Sequence, residues 1–492
     1  MPIPLSRQTL AQISETAAIP GYDPQSLSAG IVHFGVGNFH RAHQAVYLDD
    51  LFNLGLGHDW ALVGAGVRPA DETMRGRLAA QDYLTTVVAR EADSAEARIT
   101  AAMIDHLPVG DSDVVIARLA DPAIRIVSLT ITEGGYYIDP ATQRFDTSHA
   151  DITADAASPG RPQTVFGLIL AGLAARRAAG IAPFTVMSCD NIPGNGHVTR
   201  NAVAGLAELS DPELAYWVRD TVAFPNSMVD RITPATTDRE RDLLARDFGI
   251  ADTWPVFCED FLQWVLEDHF PAGRPALERV GVQFVPDVAP FEHMKIRILN
   301  GGHATIAYPA ALLDIHFVHE AMGNPLIRAF LDKVERDEII PIVPPVPDTS
   351  LDDYYGLVAR RFANPSIGDT ITRLCLDGSN RQPKFILPSA VDGLAAGRSI
   401  TGLALVSALW ARYCHGETES GRPIAPNDPN WDRLNAQARR AKDDPAAWLE
   451  MTDIFGDLAV NPVYVETFGR ALSSVWARGT KATLEAYLAD TL

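Results

Sequence analysis

Cysteine is scarce in this 492-residue chain, and the four present (Cys189, Cys258, Cys375 and Cys414) lie far apart with no C-x-x-C spacing. That excludes a zinc ribbon or a disulfide framework and fits reduced thiols in a cytoplasm. Apolar runs long enough to span a bilayer are missing, and the N-terminal MPIPLSRQTLAQ has no apolar signal core, so a cytoplasmic location and no membrane partner are expected. Positive charge is in deficit: 41 Lys and Arg against 62 Asp and Glu leave −21. Such a balance argues against non-specific binding to nucleic acid or anionic membrane and suits small ligands. There is no G-x-S-x-G, hence no nucleophile elbow. HRAH (40–43) and HFVHE (316–320) each pair two histidines, yet neither has a clear third and fourth ligand, so no metal site is expected. What remains is a globular composition, with enough length for two or three domains.

Strands alternate with helices over the first half. Ile31–Phe34 enters the turn Gly35-Val36-Gly37, and Ala42–Leu54 has helical spacing. WALVGAGV (60–67), AIRIVSLTIT (123–132) and PFTVMSCDN (183–191) read as further strands, and 164–179 as helix. Continuous β-branched runs indicate strands buried on both faces, hence an open, mostly parallel α/β sheet. Beyond about residue 285 helical segments dominate, at 291–300, 303–335, 353–363 and 400–413, followed by a helical tail. The expected division is 1–285, a dinucleotide-binding α/β domain, and 286–492, a mainly helical substrate domain.

The run FEHMKIRILNGGHATIAYP (291–309) puts a carboxylate, an amine, an amide and an imidazole into an otherwise apolar helix. On an ideal helix Glu292, Lys295, His303 and Asn300 share an arc of about 140°. A compact polar set of this kind reads as a site or as a self-paired helix face. Gly301-Gly302 weakens the helix by about 1 kcal/mol per residue, which is tolerable where a ligand or another backbone must come close and, with the motifs below, is read as room for substrate or cofactor.

Five other segments carry chemistry. GVGNFHRAH (35–43) is a glycine turn between a strand and a helix, suited to a pyrophosphate at a helix N-terminus; His40 stands where a third glycine would complete G-x-G-x-x-G. After the second strand, GAGVRPADE offers Arg68, suited to a phosphate of NADP, and Asp71, suited to the ribose of NAD. SLTITEGGYY ends a buried strand in Thr132 and Glu133, and SCDNIPGNG ends another in Asp190 and Asn191. FPNSMVDRITP sets Asp230 beside Arg231 among apolar residues, either as an ion pair orienting a loop or as part of a site. RLCLDGSNRQPKFILPS carries Arg373, Arg381 and Lys384, suited to a polyhydroxylated or anionic ligand.

In their order, HFGVGNFHRAHQA, TITEGGYY, CDNIPGNG, FPNSMVDRITP, KIRILNGGH and RLCLDGSNRQPKF resemble the polyol-specific long-chain dehydrogenase/reductase family over about residues 30–390. The resemblance implies a Rossmann-type N-terminal domain with a mainly helical C-terminal one, and zinc-independent hydride transfer between a polyol and its ketose. It assigns Lys295 as general base, Asn191 and Asn300 as donors to the reacting oxygen, His303 as a substrate-site histidine, and Asp230, Arg373 and Arg381 as polyol-site residues. Arg381 stands where relatives often have lysine. Glu292 and Glu133 match acidic residues near the lysine. Gly35, Val36, Gly37, Asn38 and Phe39, with Arg68, Thr132 and Glu133, match the cofactor site.

The expected reaction is D-mannitol with NAD to D-fructose, with NADP not excluded given Arg68, in a monomer or weak oligomer. D-arabinitol, D-sorbitol or a fructuronate-like sugar acid are the alternative substrates. A nucleotide sensor without turnover is disfavoured by the intact set Asn191, Lys295, Asn300 and His303, since a sensor needs no base.

Overall fold

The computed structural model describes residues 1–139, 142 and 144–492. The chain forms two compact units, Met1–Ala289 and Pro290–Leu492.

In the first unit Ala29–Phe34 (β1), Ala61–Ala65 (β2), Met103–His106 (β3), Ile126–Leu129 (β4) and Thr185–Ser188 (β5) form one sheet. Its order is β3-β2-β1-β4-β5, with every pairing parallel. This is the 3-2-1-4-5 arrangement of a doubly wound nucleotide fold, in which ligands gather beyond the carboxyl ends of the strands. The unbroken apolar runs follow from burial on both faces: every residue of β2, β4 and β5 is buried. Alternate residues of β1 enter different cores. Val32 and Phe34 pack with Val127, Val186 and the helix Val165–Ala179, whereas Ile31 packs with Leu62, Met187 and the helix Gln44–Asn53, as a period of two requires.

Several strands of this unit are not evident from the sequence. Thr85–Arg90 pairs antiparallel with Ala95–Thr100 and parallel with Val256–Glu259. Ser227–Asp230 (β6) runs antiparallel to Gln263–Glu267 (β7), which in turn lies parallel to Gln283–Val285 (β8). These strands are three to six residues long, and Thr85–Arg90 finds one of its partners far along the chain, so their local pattern is too brief to show a period.

The second unit is dominated by helices. One helical run extends from Ala289 to Leu312: an α-helix to Met294, a π-turn over Lys295–Asn300, and an α-helix from Gly301. The expected single helix over 303–335 is divided into Gly301–Leu312, Val318–Gly323, Pro325–Lys333 and a π-turn over Val334–Ile339. Asp314 takes a left-handed φ of 60°, which ends the first piece. Pro325 opens the third, capped by Asn324, whose Oδ1 accepts the Leu326 N–H at 3.0 Å, in the manner of proline in a first turn. Thr401–Cys414 is buried from Gly402 to Cys414 and packs against Pro462–Leu488, whose Tyr464 hydroxyl donates to Ser407 Oγ at 3.1 Å.

Candidate active site

The glycine turn sits at the carboxyl end of β1. Gly35 has φ 93°, and a Cβ there would stand 2.1 Å from the Thr130 carbonyl oxygen, so only glycine fits. Gly37 N–H donates to the Gly35 carbonyl at 2.7 Å. At Gly37 a Cβ would meet nothing nearer than 3.8 Å, leaving open space before the helix Asn38–Ala42. No side chain caps that helix, so none satisfies its first N–H groups. Asn38 itself is committed: its Nδ2 donates to Pro234 O and Thr236 Oγ1, each at 3.0 Å, and its Oδ1 accepts from Arg41 and Trp254. Any contact it makes with a cofactor therefore comes through its backbone.

His40, in place of a third glycine, makes the helix–strand contact with a ring. It stacks on His33 of β1 at 3.4 Å between centroids and 13° between planes. Both are fully buried. His33 Nδ1 lies 2.8 Å from Ser128 Oγ and its Nε2 2.9 Å from Thr130 Oγ1. Burial pulls His33 down to about 3 and holds His40 well below the ordinary histidine range, with His33 adding to the effect. Both folded values lie under the unfolded value of about 6.5, so the unfolded chain binds more protons below that pH. Stability is therefore full above about pH 6.5 and falls as pH drops toward the folded values, at up to about 1.4 kcal/mol per pH unit per histidine. Urea melts between pH 7 and pH 5 are expected to show this loss, and His40→Phe, which keeps a ring but cannot be protonated, is expected to lessen it, leaving the share of His33. An unchanged pH slope in the variant contradicts the assignment.

At the end of β2, Arg68 is exposed and Asp71 is already engaged. Asp71 Oδ2 accepts the N–H groups of Val67 at 2.9 Å and Arg68 at 2.8 Å, closing the start of the helix Pro69–Ala79. Asp71→Ala is expected to cost about 1 kcal/mol, read as a lower thermal midpoint; an unchanged midpoint would rule the capping role out.

Beyond β4 and β5 lies a buried polar network. Asp190, 8% exposed, accepts the N–H groups of Ile131 and Thr132 and the hydroxyl of Tyr136. Thr132 and Glu133 are exposed, as is Asn191. Thr132 has φ 64° and ψ 162°, a conformation that costs a β-branched residue about 1–3 kcal/mol. Asp230 ends β6 and is 5% exposed. Its neighbour Arg231 serves the scaffold: it donates to Glu259 O at 3.0 Å and to Ala42 O at 2.6 Å, holding the end of the short helix.

In the second unit Lys295 is 7% exposed, and Glu292 and Asn300 are half-buried. The π-turn changes their relation. The Gly301 N–H bonds to the Ile296 carbonyl, an i→i+5 link that makes the turn wider than that of an α-helix. Lys295 and Asn300 are therefore closer in angle than the roughly 140° that an ideal helix gives them. Arg297, out of place on the apolar side, donates to Ser389 Oγ at 2.7 Å and Asp392 Oδ2 at 2.6 Å.

The room at Gly301-Gly302 is taken by protein, which corrects the expectation of room for substrate or cofactor. A Cβ at Gly301 would meet Phe385 O at 3.4 Å, and one at Gly302 would meet Glu335 Oε1 at 3.0 Å and the Phe362 ring at 3.4 Å. Glu335 is fully buried, and burial pushes its carboxyl well above the usual range. His303 stacks on Phe362 at 3.9 Å, and its Nε2 is buried without a hydrogen-bond partner. Burial, then Arg373, Arg361 and Arg381, hold His303 well below its ordinary value, as a neutral imidazole. Arg361, 7% exposed, is a member of this group that the sequence did not single out. Arg373 is paired with Asp369, and Arg381 donates to the carbonyls of Arg373 and Leu374 at 3.3 and 2.9 Å.

Among the described residues no group of three or more His, Cys, Asp or Glu is placed to hold a metal ion, and no helix is long and apolar enough to cross a membrane. Residues 29–279 match the model of the mannitol dehydrogenase Rossmann domain, and 287–476 that of the mannitol dehydrogenase C-terminal domain. The chain belongs to the mannitol dehydrogenase family. It is 64% identical over 471 residues to the mannitol 2-dehydrogenase of Cereibacter sphaeroides, covering 96% of this chain and 98% of that one. With an Aspergillus fumigatus mannitol 2-dehydrogenase it shares 40% identity, with 99% of each covered. Its structure resembles the Pseudomonas fluorescens mannitol 2-dehydrogenase in ternary complex with NAD and D-mannitol, at TM-score 0.88 and 43% identity, covering 99% of this chain and 100% of that one. A D-sorbitol dehydrogenase in substrate-free form aligns at TM-score 0.90 and 34% identity, covering 98% and 100%.

Proposed function

We infer that this chain oxidises D-mannitol to D-fructose, reversibly, with NAD as the hydride acceptor. The observation that carries the mechanism is the occurrence of Lys295 and Asn300 in one π-turn, in a chain 64% identical to a mannitol 2-dehydrogenase. The open space at Gly37 and the uncapped helix behind it suit a dinucleotide. Gly35, Val36, Gly37, Asn38 and Phe39, with Arg68, Thr132 and Glu133, are the residues we expect to hold it. Bound there, NAD would supply the hydride-accepting chemistry.

The protein's task is the proton and the charge. Lys295, 7% exposed, is the residue we expect to accept the hydroxyl proton. Asn300 and Asn191 donate to the oxygen as negative charge develops, which is most effective when the donors are already oriented. Glu292, three residues before Lys295, passes the proton to solvent. His303, held neutral, offers its unpartnered Nε2 to a substrate hydroxyl, and Asp230, Arg373 and Arg381 contact the remaining hydroxyls. The 64% identity to a mannitol 2-dehydrogenase favours a neutral polyol over a sugar acid. The −21 net charge and four buried free cysteines support a cytoplasmic protein, which we read as a monomer or weak oligomer.

Absorbance of reduced cofactor, with NAD and NADP each offered D-mannitol, D-arabinitol, D-sorbitol and a hexuronate, tests this reading. The highest kcat/KM is expected for D-mannitol with NAD. Preference for another substrate by tenfold or more contradicts it.

A further inference from the structure

β4 and β5 end side by side, and each feeds a loop that carries proposed site residues: Thr132 and Glu133 after β4, Asn191 after β5. The group joining the two loops is Asp190, for which the mechanism above has no use. Its Oδ2 accepts the Ile131 N–H at 2.9 Å and its Oδ1 the Thr132 N–H at 2.8 Å. The Tyr136 hydroxyl donates to Oδ2 at 2.7 Å and lies 2.6 Å from Ser188 Oγ. The carbonyl of Asp190 is fixed as well, accepting from Asn195 Nδ2 at 3.0 Å, and the same amide donates to Ser227 O at 2.8 Å.

Two features set this apart from an ordinary loop staple. Both carboxylate oxygens are used on successive N–H groups of the neighbouring loop, and an asparagine, with one oxygen and one NH₂, cannot reproduce that. The residue so held, Thr132, has φ 64°, a region that β-branched residues avoid unless their surroundings impose it. A carboxylate this deeply buried is costly unless donors surround it, and here three of them do.

We propose that Asp190 is a positioning residue: its carboxylate locks the Thr132 turn to the end of β5, so that Glu133 and Asn191 are presented together to cofactor and substrate. The proposal rests on Asn191 serving as a donor to the reacting oxygen. Small displacements of such a donor are expensive, about 100-fold in rate for about 1 Å.

The test compares wild type, Asp190→Asn, Tyr136→Phe, Thr132→Gly and the double variant Asp190→Asn/Thr132→Gly. Steady-state kinetics with D-mannitol and NAD, NADH affinity by fluorescence titration and thermal midpoints are measured for each. Asp190→Asn is expected to lower kcat about 100-fold while KM for D-mannitol changes less than about threefold. Adding Thr132→Gly is expected to restore about tenfold of the lost kcat, because glycine adopts a positive φ without a clamp. A purely structural role would lower the thermal midpoint without that rescue. The proposal is overturned if kcat of Asp190→Asn stays within threefold of wild type, if it falls only in proportion to the unfolded fraction, or if the double variant is no faster than Asp190→Asn. Should Asp190→Asn fail to fold, Tyr136→Phe decides, since it removes the hydroxyl that fixes Asp190 Oδ2 and so loosens the carboxylate without deleting it: a fall of about fivefold in kcat at an unchanged midpoint supports the clamp, and an unchanged kcat refutes it. Lack of D-mannitol turnover by the wild type counts against the reading of function instead, and the clamp is then judged on the polyol that the wild type does oxidise.

Discussion

Lys295→Ala is expected to lower kcat for D-mannitol oxidation by about 100- to 10,000-fold, the usual contribution of a general base, or about 3 to 5 kcal/mol of activation free energy. The chain should fold normally. The lysine lies on a helical run whose apolar residues, Met294, Ile298 and Leu299, hold it in the core, and alanine is the strongest helix former. NADH affinity is expected to stay within about threefold of wild type, because only the proton acceptor is lost. The decisive readout is the combination: kcat collapses while fluorescence titration still shows NADH binding. A Lys295→Ala enzyme within tenfold of wild type removes the lysine from the chemistry.

A second large effect is expected at the glycine turn, where two substitutions should separate folding from cofactor binding. Gly35→Ala puts a methyl 2.1 Å from Thr130 O at φ 93°. The strain alone is about 1–3 kcal/mol, and the clash forces β1 and the 130–132 turn apart. Both thermal stability and NADH affinity should fall, the affinity by at least about 100-fold. Gly37→Ala differs. Its φ of −98° suits any residue, and its Cβ meets nothing within 3.4 Å. The thermal midpoint should stay near that of wild type while NADH affinity drops about tenfold, because the methyl occupies the space before the helix. Equal behaviour of the two variants would mean that the turn is structural only.

Legibility in the sequence followed the length of each pattern. Four of the five sheet strands were readable because runs such as AIRIVSLTIT are apolar throughout, as burial on both faces demands. Met103–His106, four residues with two of them only partly buried, gave no such run. The hairpin Thr85–Thr100 needs Val256–Glu259, from much later in the chain, to complete its sheet, and no local window contains that information. The helix around Lys295 was legible as a helix, but its π-turn was not. A wheel drawn at a fixed 100° sets Lys295 and Asn300 farther apart than the wider turn does.

Glycines and charges were the other source of difference. Gly302 looked like space for a ligand because sequence shows a missing side chain and not what fills the gap; the filler is Glu335, from the next π-turn. Asp190 was passed over in favour of Asn191, since its significance lies in bonds to Ile131 and Thr132, almost sixty residues earlier. Arg231, readable beside Asp230 either as an ion pair orienting a loop or as part of a site, is bonded to two backbone carbonyls. In each case the residue type was visible and its partner was not.

Product analysis of the wild-type reaction is the most direct test of the central claim. The purified chain is incubated with D-mannitol and NAD, and ketose and NADH are quantified in the same samples over time. D-fructose should accumulate in step with NADH, one molecule for one, and added D-fructose with NADH should run the reaction backward to D-mannitol. Formation of an aldose in place of D-fructose, or no NADH above a Lys295→Ala control, would contradict it.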